Sequence, residues 1–181
     1  MLVLVGASAS GKTEIAKIIM EKYSFKKMVT YTTRDRRPGE IDGHDYHFLD
    51  EEAFDRKRQN GDFIETTTYN GNHYGTAFKD AGWDKVLIVN VEGANSLYEK
   101  IPDNMVIFLM HSPENLREAR MLARGDSRDD ARQRLKKDTA LFRRDRLTHV
   151  DHIIENSRGL SLDTLADKIH SIYMNDIENQ A

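Results

Sequence analysis

Cysteine is absent from this 181-residue chain, proline occurs three times and tryptophan once. Without thiols there can be no disulfide framework, no thiolate metal site and no cysteine nucleophile. With so few prolines, 39% hydrophobic residues and 31% charged ones, the chain is no low-complexity polymer and can bury a core. No apolar run approaches the ~20 residues of a membrane span. The run Leu2-Val3-Leu4-Val5 is shorter than the apolar region of a signal peptide and has no basic segment before it, so a cytoplasmic, unprocessed chain is expected. Positive charge is not in excess either. The 27 Lys and Arg face 30 Asp and Glu, a net charge of −3, which argues against nucleic acid or a membrane surface as partner and requires any anion site to be local. The length suits one domain spanning residues 1–181. Oligomeric state is left open.

Three short apolar runs, residues 2–5, 86–91 and 105–110, lack the alternation of half-solvated strands and read as buried parallel strands, with residues 152–154 as a fourth. Helical spacing follows over residues 14–23, after Ser112-Pro113, where proline suits the first turn, and through Leu162, Leu165, Ala166, Ile169 and Ile172. The alternation predicts an α/β fold, an open parallel sheet flanked by helices with ligands beyond the carboxyl ends of its strands. Residues 30–80 break the pattern. Short strands over 30–33, 46–48, 63–68 and 72–76, punctuated by Pro38-Gly39, Gly43, Asn60-Gly61 and Asn70-Gly71, predict a small antiparallel insertion with one helix capped by Asp50. Residues 117–146 hold 11 basic against 6 acidic side chains, a composition that most often marks only a solvated helical face. The polar tail after Tyr173 is expected to fray.

Gly6-Ala7-Ser8-Ala9-Ser10-Gly11-Lys12-Thr13 matches G-x-x-x-x-G-K-[ST] between an apolar strand and an amphipathic helix. Such a loop wraps phosphates with backbone N–H groups at a helix N-terminus; Lys12 adds positive charge and the Thr13 hydroxyl can join the shell of a Mg²⁺. A nucleoside triphosphate is the expected ligand.

The insertion carries Thr30-Tyr31-Thr32-Thr33-Arg34-Asp35-Arg36-Arg37-Pro38-Gly39-Glu40, then Gly43-His44-Asp45-Tyr46-His47-Phe48, Phe63-Ile64-Glu65 and Gly71-Asn72-His73-Tyr74-Gly75-Thr76. With these patterns the chain resembles the guanylate kinase family over nearly its whole length. The resemblance implies ATP-dependent phosphorylation of GMP with Mg²⁺, with both nucleotides as partners. It also implies a helical lid at residues 120–146, the acceptor-binding insertion at 30–80 and a core of 1–29, 81–119 and 147–181. By position, Arg34, Arg37, Tyr46 and Tyr74 would hold the acceptor phosphate, while Thr30, Glu65, Thr76 and the region of Asn90 would meet the guanosine. Arg120 and Arg124 resemble the arginines that open the lid, Arg124 also meeting the ATP, Arg134 the one returning on the next helix, and Asn156 a contact to the donor's adenine; Lys12, Arg34 and the lid arginines would carry catalysis. Chemistry agrees. Guanidinium forks match phosphate oxygens, and one ionised carboxylate can accept from both N1–H and N2–H₂ of guanine. His44 and His47 lie within the matched motif and are not read as metal ligands.

One segment departs. Ile88-Val89-Asn90-Val91-Glu92-Gly93 stands where the family has D-x-D-x-Q-G, so Ile88 and Asn90 replace two carboxylates near the acceptor nucleoside and the metal's water shell. Two rivals follow: a ribose bisphosphate kinase on the same scaffold, which the Asn90 change favours, and a non-catalytic phosphopeptide-binding module, which the intact loop of residues 6–13 disfavours.

Overall fold

Alternate residues of the first strand enter two different cores, and this sets the architecture. In the computed structural model, which describes residues 1–69 and 71–180, the elements run β1 (Leu2–Gly6), α1 (Lys12–Tyr23), β2 (Lys26–Lys27), β3 (Tyr31–Thr32), β4 (His47–Phe48), α2 (Glu51–Gln59), β5 (Phe63–Tyr69), β6 (Asn72–Ala77), β7 (Lys85–Val89), α3 (Val91–Lys100), β8 (Val106–His111), α4 (Glu114–Ala123), α5 (Arg128–Leu141), β9 (His152–Glu155) and α6 (Leu162–Gln180). Leu2 and Leu4 pack with Ile15 and Ile19 of α1 and Ile169 of α6; Val3 and Val5 pack with Val91 and Leu97 of α3. Side chains alternate along a strand, so one that is apolar throughout must be covered on both faces. Each such buried Leu or Val stabilises the fold by roughly 1.5–3 kcal/mol.

The main sheet has the order β2-β7-β1-β8-β9 with every pair parallel. The central strand β1 pairs Leu4 with Ile88 on one side and with Phe108 on the other. Helical crossovers on both sides leave a crevice at its carboxyl end, and the loop after Gly6 opens into it.

Several boundaries differ from those expected. The strand anticipated over 86–91 stops at Val89, because Asn90 is the N-cap of α3 and its Oδ1 accepts from Gly93 N–H at 2.8 Å. Helix α1 begins at Lys12, two residues before the first periodic position, and Pro113 caps α4 from outside instead of lying in its first turn. β2 carries no apolar signal; it is held by backbone bonds from Lys26 N–H to Asp84 and from Met28 N–H to Val86, each 2.9 Å. The tail after Tyr173 is helical to Gln180, since Ile177 packs on the core and Asp176 meets His152 at 2.6 Å.

The insertion is a second sheet, β4-β3-β6-β5. It is mixed, not purely antiparallel: β6 pairs antiparallel with β3 and β5, but β4 pairs parallel with β3. Residues 33–46 form a long connection, and only a long connection can return a strand in the same direction. Asp50 caps α2 by accepting from Ala53 N–H at 2.7 Å, as expected. Tyr31, Phe54, Phe63 and Ala77 make a separate small core. Gly75 lets the rings approach, since a Cβ there would lie 2.9 Å from Phe63. The turn expected at Asn70-Gly71 includes Asn70, which lies outside the described residues.

Candidate active site

The loop between β1 and α1 is a backbone structure. Gly6 has φ +154° and a Cβ there would meet the Met110 carbonyl at 2.5 Å; Gly11 has φ +100° and its Cβ would meet Asn156 Nδ2 at 2.4 Å. Neither position tolerates a side chain. Ala9 also holds a left-handed conformation, φ +58°, a local strain of the kind found at binding loops. Gly11 precedes α1 without a side-chain cap, so the first N–H groups of that helix present its positive end. Lys12 Nζ arches back to the carbonyls of Gly6, 2.6 Å, and Ala7, 2.8 Å. Burial lowers its pKa to about 8, with Asp138 pulling upward and Arg117 downward. An anion set against Nζ would hold the charge in place. Thr13 is exposed on the first turn of α1. Among the described residues no group of three or more His, Cys, Asp or Glu could hold a metal. The donor set at the loop is therefore a hydroxyl, which fits a hard cation that brings phosphate oxygens and water as its other ligands.

Behind the loop lies a hydrogen-bonded brace. Asn156 is fully buried; its Nδ2 donates to the Ser10 carbonyl at 2.9 Å and its Oδ1 accepts from Arg120 Nη2 at 3.0 Å. Arg120 Nη1 donates to the Ala9 carbonyl at 3.1 Å and to Ser112 Oγ at 3.2 Å. Burial moves the Arg120 pKa down from its usual value. The structure thus places Asn156 beneath the loop, with both atoms of its amide spent on holding it. Sequence reading expected neither this brace nor a second pair above it: Asp138 of α5 accepts from Ser8 N–H at 2.7 Å and lies 3.3 Å from Arg117 Nη1. A signal for Arg117 existed, because it stands four residues before buried Met121 on the inward face of α4.

Between α4 and α5 the structure brings Arg124 and Arg134 together. Arg124 donates to Asp126 Oδ2 at 2.6 and 3.0 Å, and Arg134 Nη1 lies 3.5 Å from the same oxygen. Asp126 is held below the usual carboxylate range, chiefly by the Arg124 hydrogen bond.

In the insertion, Arg34 is half-buried and donates through Nη2 to both oxygens of Glu40, at 2.7 and 2.9 Å. Its guanidinium lies 5.4 Å from the Tyr46 ring, and the rings of Tyr46 and Tyr74 are 6.1 Å apart. Arg37 is exposed and donates its backbone N–H to Glu40 at 2.8 Å. Arg34 and Arg37 thus converge on one carboxylate, Glu40, while Tyr46 lies beside the Arg34 guanidinium and Tyr74 beside Tyr46. Thr30 accepts from His47 N–H through its carbonyl at 2.9 Å, which seats β4. Glu65 on β5 is 5% exposed; Thr76 on β6 donates its hydroxyl to Oε1 at 2.6 Å, and Oε2 is buried with no hydrogen-bond partner among the described residues. Burial pushes this carboxyl up to about 7, against the Thr76 hydrogen bond and the positive charge of Lys100. Asn90 is committed to its cap through Oδ1, while Ile88 is 37% exposed.

Comparison with known proteins places these features in a wider group. A family model described as guanylate kinase matches residues 1–174. A guanylate kinase of Lactococcus lactis subsp. lactis is 38% identical over 147 residues, covering 76% of this chain and 71% of that relative. One from Chlorobium luteolum is 32% identical over 182 residues, covering 96% of this chain and 89% of the relative. Among solved structures, that of guanylate kinase from Anaplasma phagocytophilum superposes with a TM-score of 0.73 at 27% identity, over 97% of this chain and 85% of the other.

Proposed function

Because the chain belongs to the guanylate kinase family and is a nucleotide kinase, we propose that it transfers the terminal phosphoryl group of ATP to GMP, giving ADP and GDP. The division of labour is a core of residues 1–29, 81–119 and 147–181, an acceptor-binding insertion of 30–80 and a lid of 120–146.

One observation carries the choice of acceptor: the buried Oε2 of Glu65, which has no hydrogen-bond partner among the described residues. An unsatisfied carboxylate oxygen is costly, and its natural partner is a ligand with donors. Guanine offers N1–H and N2–H₂ side by side; adenine presents an acceptor at N1 and would leave the carboxylate unpaired. With Oε1 already held by Thr76, Glu65 accepts from the base through a charge-assisted bond. Thr30 is assigned to the same base by its place in the family pattern. The acceptor phosphate takes over the fork of Arg34 from Glu40, with Arg37 beside it and the hydroxyls of Tyr46 and Tyr74 as neutral donors. Glu40 keeps the fork aligned until then.

No general base is needed, since the attacking oxygen belongs to an already ionised phosphate. The residues align two anions and neutralise charge. The loop of residues 6–13 cradles the ATP phosphates, Lys12 leaves the carbonyls of Gly6 and Ala7 for phosphate oxygens, and Arg120 and Asn156 keep the backbone at Ala9 and Ser10 from shifting. Arg124 and Arg134 turn from Asp126 toward the transferring group as the lid closes and excludes water. Thr13 would hold a Mg²⁺ on the protein side, and the ion would supply further neutralisation of the phosphate charge.

The sugar-phosphate rival leaned on Asn90. Its amide oxygen is engaged in capping α3, a task that aspartate performs equally well, so the cap is kept with either residue and does not itself favour the sugar phosphate. A coupled ADP-release assay over GMP, dGMP, IMP, AMP and ribose 1,5-bisphosphate tests the proposal. The highest kcat/KM is expected with a guanine monophosphate; activity confined to the sugar phosphate would overturn it.

A further inference from the structure

We propose that Asp138 is an internal anion that competes with the donor nucleotide for the phosphate-binding loop, so that triphosphate binding and release of α5 from the loop are a single event. This rests on the reading of residues 6–13 as the donor site.

The contact joins residues 130 positions apart: Asp138 Oδ2, on the lid helix, accepts from Ser8 N–H at 2.7 Å. A backbone N–H of the loop donating to an anionic oxygen is the bond that a phosphate would make there. Ser8 has one N–H, so a phosphate oxygen that takes it must displace the carboxylate. Asp138 is 7% exposed and Arg117 3%, and among the described residues Arg117 Nε is buried with no partner. A buried ion pair gains little stability over apolar packing, because desolvating both charges offsets their attraction. Packing alone therefore gives no reason to set a carboxylate against this loop. Competition does. Arg117 also gives the displaced carboxylate a partner, so leaving Ser8 does not strand a buried charge. Asp138 and Arg134 lie four residues apart on α5, so the displacement bears on the arginine that waits on Asp126. Without donor, the lid helix is latched to the loop by the group that imitates the donor.

Binding of a non-hydrolysable ATP analogue with Mg²⁺, measured by calorimetry without acceptor, tests this. Asp138→Ala should bind the analogue about tenfold tighter than the unaltered protein, the worth of one competing charge-assisted bond. Asp138→Asn, which keeps the shape and an oxygen acceptor, should shift the same way by less, and it serves if the alanine variant does not fold. Affinity for GMP should stay unchanged in both. Equal or weaker analogue binding in the variants would overturn the proposal and make Asp138 a structural residue or a ligand of the bound nucleotide. Equal tightening for GMP and the analogue would also overturn it, because that would be general loosening of the lid. If the unaltered protein binds no triphosphate, the donor-site reading fails and this proposal with it; if it binds but Asp138→Ala gains nothing, this proposal fails alone.

Discussion

Between β1 and α1 the polar work is done by backbone groups, whereas across the insertion it is done by side chains. The donor loop is braced before any ligand arrives: Asn156 and Arg120 hold its carbonyls from behind and Asp138 holds Ser8 from above. The insertion stands on a core of four buried residues, with the proposed recognition groups either paired to a protein carboxylate, as Arg34 is to Glu40, or, among the described residues, without a partner, as Glu65 Oε2 is. The difference matches two recognition tasks. Every nucleoside triphosphate presents the same phosphates, so a fixed backbone cradle suffices. Choosing one base among several requires side-chain donors and acceptors at set places.

The largest effect should come from the shared cradle. Lys12→Ala should lower kcat/KM by about 4 kcal/mol or more, roughly a thousandfold, through loss of charge stabilisation in the transition state. Circular dichroism should show an intact fold, because Lys12 is a half-buried cation whose removal lifts a desolvation cost. Undiminished turnover in the folded variant would erase the contrast between the two regions.

Next is the small core. Phe54 is fully buried among Tyr31, Phe63 and Ala77, and Phe54→Ala should cost about 3–5 kcal/mol within the insertion. Because that core is separate from the two clusters flanking the main sheet, GMP binding should collapse while binding of an ATP analogue persists. Parallel loss of both would show that the regions fold as one unit.

The third effect depends on pH. The carboxyl of Glu65 sits at about 7 instead of 4.5 because it is buried. Between these values the native state holds a proton that the unfolded chain has lost, so stability falls as pH rises from 4.5 through 7. Glu65→Gln should therefore be more stable than the unaltered protein above pH 7, by about 3 kcal/mol at most, and no different below pH 4.5. Denaturant titrations at pH 4, 6 and 8 would show it; a difference independent of pH would mean that the carboxyl titrates alike in the folded and unfolded chain.

The smallest effect concerns the departure from the family pattern. Asn90→Asp keeps the α3 cap and restores a charge, so kcat/KM for GMP should rise several-fold, about 1 kcal/mol. Loss of activity on GMP would show instead that the site needs the amide as a donor.

What could be read from the sequence follows the same division. The donor loop was legible because its requirements are local: two glycines at left-handed positions, a lysine and a threonine at fixed spacing. Phosphate and base residues of the insertion were legible only through a family pattern, since Arg34 and Glu65 acquire meaning from strands that pair across β5 and β6. Asn156 reached its place beneath Ser10 by a contact spanning 146 positions, and Asp138 and Arg117 by others with no periodic signature except an arginine on a buried helical face. The end of β7 was misplaced by two residues because Asn90 changes role from strand to cap, a choice made by the backbone at Gly93. The parallel pairing of β4 was hidden by its length of two residues.

Glu65 as reader of guanine is the central claim, and kcat/KM for GMP, IMP and AMP in the unaltered protein and in Glu65→Gln tests it most directly. In the unaltered protein IMP, which lacks N2–H₂, should fall below GMP by about 1.5–3 kcal/mol, and AMP should fall further. In Glu65→Gln the gap between GMP and AMP should narrow mainly through loss of GMP activity. Equal kcat/KM for GMP and AMP in the unaltered protein, or an unchanged gap in the variant, would contradict the account.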